Sequence, residues 1–335
     1  MLDYCIYGGI FMIRPHCTPL GLLLAAAALT ACGPALPQQY PVKPVKLIVP
    51  FAPGGGSDVS GRFIAQRLSS TLGQQVVVEN RAGAGGLIGV EAGIKSPADG
   101  YTLTLLPSSY TAYPSIYKLK FDPIGDLAPI IQISQGPLLV VVHPALPVNT
   151  VRDLIALARS RPGKLNFASP GQGTTLQLAT ELFATMAGIK LNHVPYKGTG
   201  PALTDTVAGQ TDLYFSGISS ALPQVRSGRL RAIAVTTARR VAAAPEVPTI
   251  AESGLPDYEV VVWYGLAGPK GLPRAIVERI NGDVALALRS REVEERLQND
   301  GSLPAGGTPE QFLARIKIEI ELWRKVVNDA GIKAE

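Results

Sequence analysis

The sequence predicts an α/β fold of two strand–helix units that face each other across a cleft, followed by a helical tail. Three observations lead there. Short apolar runs alternate with segments of helical periodicity, the pattern of a mainly parallel sheet with helices on both faces. A glycine-rich loop joins a strand to a helix once in each unit, at Gly54–Gly56 and again at Gly171–Gly173. From Pro273 onward the pattern is helical. Ligands of such folds sit at the C-terminal ends of strands, where helix N-termini also point.

In chain order, Val45–Phe51 reads as a buried strand. Asp58–Leu72 reads as a helix with Val59, Phe63, Ile64, Leu68 and Leu72 on one face and Gly73 ending it. Val76–Glu79 is a strand, Leu87–Lys95 a short helix and Tyr101–Leu106 a strand. The second unit begins near Leu138–Val142. Thr150 can cap a helix that turns Val151, Leu154, Ile155 and Ala158 inward. Leu165–Ala168, Leu191–Pro195, Asp212–Phe215 and Leu230–Thr236 are expected strands, with helices over Thr174–Ala187 and Pro201–Ala208. The tail carries helices over Pro273–Leu288, Arg291–Gln298 and Pro309–Asp329. No repeat of solenoid period is present.

The 335 residues suffice for two modest domains. A net charge of +5 is mild and evenly spread, which argues against nucleic-acid binding and suits an anionic ligand. The three cysteines, Cys5, Cys17 and Cys32, all precede residue 33, so the body contains neither a disulfide nor a cysteine-based metal site. Met12–His16 is a short basic stretch, and Leu20–Leu29 is an apolar run too short to span a membrane. Residues 1–31 therefore read as a signal peptide, with Met12 the natural start. Leu29–Gly33 resembles a bacterial lipobox, which would place cleavage before Cys32 and a lipid on its sulfur. Ordinary cleavage after a small residue, with Cys32 incidental, is the other reading. Residues 32–44 then form an irregular tether.

Five loops could carry chemistry. Phe51–Asp58 lets a ligand approach the main chain at a helix N-terminus, whose amides favour an anion; the same composition builds a tight turn capped by Ser57 or Asp58. It is not a Walker loop, since no Gly-Lys-Ser/Thr follows, and Val59 breaks a dinucleotide fingerprint counted from Gly54. Asn80–Gly89 starts such a fingerprint but ends it on Ile88, so close helix–strand packing is its expected role. Leu106–Tyr110 either turns Ser108 and Ser109 to the cleft or forms a surface turn. Ser169–Thr175 repeats the strand–glycine–helix arrangement in the second unit, so that two loops could clamp one ligand. In His193–Gly200, Lys197 offers a cation and Gly198 an amide beside a helix start, or Lys197 is merely solvated.

Taken together and in order, Pro50–Asp58, Val78–Gly86, Ala98–Leu103, Val194–Gly198, Pro201–Leu203 and Trp263–Leu266 resemble the extracytoplasmic solute receptors of tripartite tricarboxylate transporters, the Bug family. The resemblance runs from Pro44 to Ala330. It implies a type II-like, two-lobed periplasmic-binding-protein fold, each lobe a mixed sheet flanked by helices. Residues 45–141 and 263–335 would form lobe 1 and residues 142–262 lobe 2, with crossings near Val141 and Val262. It implies a small carboxylate as ligand (a dicarboxylate or tricarboxylate, an acidic amino acid or an aromatic acid), membrane permease subunits as partners, a monomeric, periplasmic protein and no cofactor. Carried over by position, Phe51, Ala52, Gly55, Gly56 and Asp58 would contact the ligand from lobe 1 beside Ser108 and Ser109. Lobe 2 would contribute Gly173, Thr174, Lys197, Gly198 and Asp212. Asp58 would act by capping its helix and fixing a bridging water. This chain departs from the family at Gly173–Thr174 and at Gln177–Leu178, where the family has Gly-Ser and His-Leu.

An enzyme would need a reactive constellation. After cleavage only His143 and His193 remain, outside any metal-spacing motif, and Gly217–Ala221 falls short of a nucleophile elbow. A hydrolase is thus the weakest reading. A periplasmic sensor that feeds a signalling partner binds the same ligand and is the alternative to transport.

Overall fold

The computed structural model describes residues 40–299 and 301–329. The signal segment, Cys32 and most of the tether lie outside the described residues. The chain from Pro41 onward forms one compact unit.

The first run supplies β1 (Val45–Val49), α1 (Gly56–Leu72), β2 (Val76–Asn80), α2 (Leu87–Ile94), β3 (Thr102–Pro107), α3 (Tyr113–Ile116) and β4 (Leu127–Gly136). The second supplies β5 (Leu138–Val142), α4 (Val151–Ser160), β6 (Asn166–Ser169), α5 (Thr175–Ala187), β7 (Asn192–Pro195), α6 (Thr199–Val207), β8 (Leu213–Gly217), α7 (Ile218–Arg226) and β9 (Arg231–Val235). The chain then adds β10 (Val262–Pro269), α8 (Arg274–Leu288), α9 (Arg291–Asn299), β11 (Leu303–Gly306) and α10 (Pro309–Asp329). Local chemistry accounts for several boundaries. Gly73 ends α1 in the left-handed conformation at φ 68°. Thr150 caps α4 in a reciprocal box with Asp153.

Two sheets result, ordered β11-β4-β10-β3-β1-β2 and β7-β6-β8-β5-β9. The strand–helix repeats give the parallel parts, β2-β1-β3 and β7-β6-β8. The rest is antiparallel: β10 lies between β3 and β4, β11 pairs β4, and β5 lies between β8 and β9. The sheets are thus mixed, as the family resemblance implies, rather than mainly parallel as the repeats alone suggest. In the first sheet β4, β10 and β11 lie outside the repeats, and in the second β5 enters antiparallel to β8 and β9.

The first crossing falls at Pro137 rather than at Val141, because Leu138–Val142 pairs wholly within the second sheet. The return ends at Val262, which opens β10 opposite Gly136. The two crossings therefore run side by side, joining β4–β10 to β5–β9.

The helix α10 spans both halves. Its Phe312, Ile316 and Ile320 enter the core with Leu106, Tyr113 and Trp263. Further along, Trp323, Val326 and Val327 join a second core with Leu178, Ala179 and Phe183 of α5. A helix of this length reaches about 30 Å, enough to brace the two sheets with one apolar stripe.

Candidate functional site

A cavity of about 310 Å³ opens between the two sheets at the ends of β1, β3, β6 and β7. Of the residues singled out in the sequence, Phe51, Ala52, Gly55, Gly56, Ser108, Ser109, Thr174, Lys197 and Gly198 line it. Asp58, Gly173 and Asp212 are not among its walls. Gly55 is the N-cap of α1 and Gly198 the N-cap of α6, and no side chain caps either helix. Both helix starts therefore offer backbone N–H groups and the positive end of a helix dipole to one cavity from opposite sheets. The two starts are close: a Cβ on Gly55 would sit 3.6 Å from the Thr199 hydroxyl.

Asp58 acts from behind the loop. Its buried carboxylate accepts hydrogen bonds from Gly54 N (3.1 Å), Arg62 Nε (2.9 Å) and Asn80 Nδ2 (2.9 Å). Asn80 Nδ2 also donates to Phe51 O at 2.9 Å, so one side-chain pair ties both ends of the loop. Burial pushes the Asp58 pKa up, but Arg62, Asn80 and the Gly54 amide outweigh it and hold the carboxyl below its ordinary value.

On the opposite wall the glycine loop is already in use. Gly173 N donates to Gln177 Oε1 at 2.7 Å and so is not presented to the cavity. Its φ of 74° and the Tyr117 hydroxyl, 2.8 Å from where a Cβ would stand, account for the glycine. Thr174 accepts from Gln177 N at 3.4 Å and donates to Gly171 O at 2.8 Å, which caps α5. Gln177 is buried beneath this loop rather than exposed to a ligand. Asp212 is at the wrong end of its sheet. It precedes β8 and its carboxylate accepts from Asn166 N at 2.7 Å, where β6 begins, whereas the loops of the cavity leave the opposite ends of these strands.

His193 supports the same loop. Its ring stacks on Phe167 with centroids 4.8 Å apart, and Nε2 lies 2.6 Å from Ser169 Oγ. Burial pushes its pKa down to about 4 from 6.5. The folded state thus resists protonation that the unfolded chain accepts. Stability is complete above the unfolded pKa and is lost as pH falls from 6.5 toward 4. Chemical denaturation of the unliganded protein should give about 1–2 kcal/mol less stability at about pH 5 than at pH 7. In His193→Gln this difference should shrink; an equal pH slope in both proteins would contradict it.

Four further polar side chains line the cavity that were not among the site residues the sequence singles out: Ser57, Thr175, Thr199 and Tyr264. Thr175 Oγ1 meets Ser108 Oγ at 2.8 Å across the cleft, and Tyr117 donates to Gln172 O at 2.8 Å, so the two halves touch directly. Ser57, Thr175 and Thr199 each adjoin a glycine loop that was recognised, and that adjacency was the available signal. Tyr264 stands in the Trp263–Leu266 motif of the resemblance, but only the pairing of β10 with β3 and β4 brings it to the cavity wall.

Behind this wall the indole of Trp263 is fully buried, and its Nε1 donates to both oxygens of Glu319, at 2.9 and 2.7 Å. Arg315 Nε pairs with the same carboxylate at 2.8 Å. Burial raises the Glu319 pKa, against the pull of Arg315, Trp263 and Thr111.

The comparisons with known proteins give the family and the fold. The family described as "Tripartite tricarboxylate transporter family receptor" matches residues 61–332. "Protein BugT" of Bordetella pertussis (strain Tohama I) is 39% identical over 320 residues, 94% of this chain and 97% of that protein. The solved structure "R. palustris Rpa4515 with adipate" is similar at a TM-score of 0.85 and 38% identity, covering 88% of this chain and 100% of the other. "MatC (Rpa3494) from Rhodopseudomonas palustris with bound malate" is similar at a TM-score of 0.82 and 32% identity, covering 86% and 100%. With a two-lobed α/β fold, a cavity at the strand ends and a family match over most of its length, the chain belongs to the tripartite tricarboxylate transporter receptor family of solute-binding proteins.

Proposed function

We propose that this chain is a periplasmic receptor that captures a small organic carboxylate between its two lobes and delivers it to the membrane permease subunits of a tripartite transporter. It performs no chemistry on its ligand, works as a monomer, and is held at a membrane through a lipid on Cys32. The observation that carries this reading is the pair of uncapped helix N-termini, at Gly55 and Gly198, facing one cavity from opposite sheets. Backbone N–H groups at helix starts suit a carboxylate and need no cationic partner. Lys197 at the rim adds a favourable charge. Ser108, Ser109 and Thr174 supply hydroxyls, and Phe51 and Ala52 an apolar wall. Asp58 contributes by holding the first loop in shape. The adipate and malate carried by the two related structures are both small dicarboxylates, which supports the same ligand class here.

A thermal-shift screen of the mature protein against dicarboxylates, tricarboxylates, acidic amino acids and aromatic acids tests the proposal. A ligand at a hundred times its dissociation constant should add about 2.7 kcal/mol of stability. No stabilisation by any acid, with calorimetry equally silent, would overturn it.

A further inference from the structure

The cleft does not end at the cavity described above. A second, smaller chamber of about 90 Å³ lies behind it, and the two share Gly56, Leu176, Thr199, Val262 and Tyr264 as walls. The rear chamber carries the hydroxyls of Ser60, Ser134, Ser219, Ser220 and Ser302, and among the described residues that line it none is charged. Val59, read from the sequence as a core residue of its helix, is 41% exposed and faces this chamber.

Tyr264 is the largest side chain among these shared walls. Its phenol oxygen stands 2.8 Å from where a Cβ on Gly56 would be, so the ring reaches the backbone at the start of α1. The Ser57 hydroxyl is its polar neighbour there. The backbone of Tyr264 is paired on both sides, with Pro107 of β3 and Ser134 of β4, just before a bulge at Gly265, so the ring is carried by an internal strand of the sheet. Gly56 is the complementary half of the neck, since any side chain there would strike the phenol.

We propose that Tyr264 sets the length of ligand the receptor accepts. Its ring closes the front cavity at the back, so a short linear diacid fits, while the far end of a longer one would have to enter the space the ring occupies. Removing the ring joins the front cavity to the hydroxyl-lined rear chamber, which then receives that end. This inference rests on the carboxylate-receptor reading above. The control is steric: the rear chamber's hydroxyl donors are the same with or without the ring, and the ring decides whether a second carboxylate reaches them.

The test is calorimetric titration of the mature protein with succinate, adipate and suberate, comparing wild type with Tyr264→Ala, Tyr264→Leu and Tyr264→Phe. Wild type should bind succinate more tightly than suberate. In Tyr264→Ala the ratio of the two dissociation constants should move toward suberate by about tenfold or more, the scale on which pocket contacts discriminate chain length. Tyr264→Leu, a smaller change to the core, should move it in the same direction. Tyr264→Phe keeps the ring and should keep the wild-type ranking. An unchanged ranking in folded Tyr264→Ala and Tyr264→Leu would overturn the proposal, as would a relaxed ranking in Tyr264→Phe. Failure of all four proteins to bind any diacid would overturn this inference, while the carboxylate reading is decided separately by the thermal-shift screen across all the acid classes. Wild-type binding with no shift in the variants would overturn only the inference.

Discussion

Replacing Gly55 by valine should weaken carboxylate binding by at least about a hundredfold, a loss of roughly 3 kcal/mol, while leaving the fold intact. The backbone at Gly55 has φ −88° and ψ 173°, an extended conformation that valine adopts without strain. The new Cβ would stand 3.6 Å from Thr199 Oγ1 and 3.8 Å from Thr199 Cβ, ordinary contact distances. The two γ-methyls are what matter. They project into the gap between the starts of α1 and α6 and cover the amides that both helices present. The stability cost is limited to the change of N-cap residue, about 1 kcal/mol or less. Gly55→Ala adds only the Cβ and should bind with intermediate affinity. The check is titration with an acid that stabilises the wild type, alongside denaturation of the free proteins. Wild-type affinity in Gly55→Val would remove the main-chain cradle from the account. Gly56→Ala is a poorer probe, since its Cβ would meet the Tyr264 hydroxyl at 2.8 Å and disturb the wall itself.

The largest expected effect on stability is at Glu319. Truncation to alanine leaves the Trp263 N–H without its acceptor and Arg315 without its carboxylate, both behind the cleft. Leaving the buried indole N–H without an acceptor costs about 1–3 kcal/mol, and loss of the partly exposed ion pair adds about 1 kcal/mol or less. The loss should be felt across the fold, because Arg315 also donates to Gln132 (3.2 Å) and Gln135 (2.6 Å) of β4, tying α10 to the sheet beside β10. Glu319→Gln retains an acceptor for the indole and should lose less. Urea denaturation should show a lower midpoint with an unchanged slope. A loss below about 1 kcal/mol in Glu319→Ala would mean that Arg315 finds adequate partners in the two glutamines and that the indole N–H reaches water.

These two positions differ in how visible they were beforehand. The loop around Gly55 announced itself through three consecutive glycines between a strand and a helix, and the structure puts it at the cavity. Gly173 looked like its counterpart across the cleft. Its amide is instead bonded to Gln177, and the uncapped helix start on that side is at Gly198. Gln177, which departs from the family pattern, sits beneath the loop and shapes it, so Thr174 lines the cavity and the Gly173 amide does not. Asp212 reads in sequence as a polar residue at a strand edge, but the direction of β8 places it at the end away from the loops.

What the sequence determined by itself was the α/β class, the strand–helix alternation of β1–β3 and of β5–β8, and the two strand–glycine–helix loops. Each of these follows from interactions among residues near one another in the chain: apolar periodicity, helix caps, and turns that only glycine adopts. The antiparallel strands β4, β10 and β11, the path of α10 across both cores, and the placing of Tyr264 between two chambers were decided only by tertiary structure. Those features depend on pairing between segments more than a hundred residues apart, as when Tyr264 lies opposite Pro107 and Ser134. Local preference carries no register between such segments. Whether a glycine amide is free to hold a carboxylate depends instead on which buried group reaches it first, even one as near in sequence as Gln177 is to Gly173.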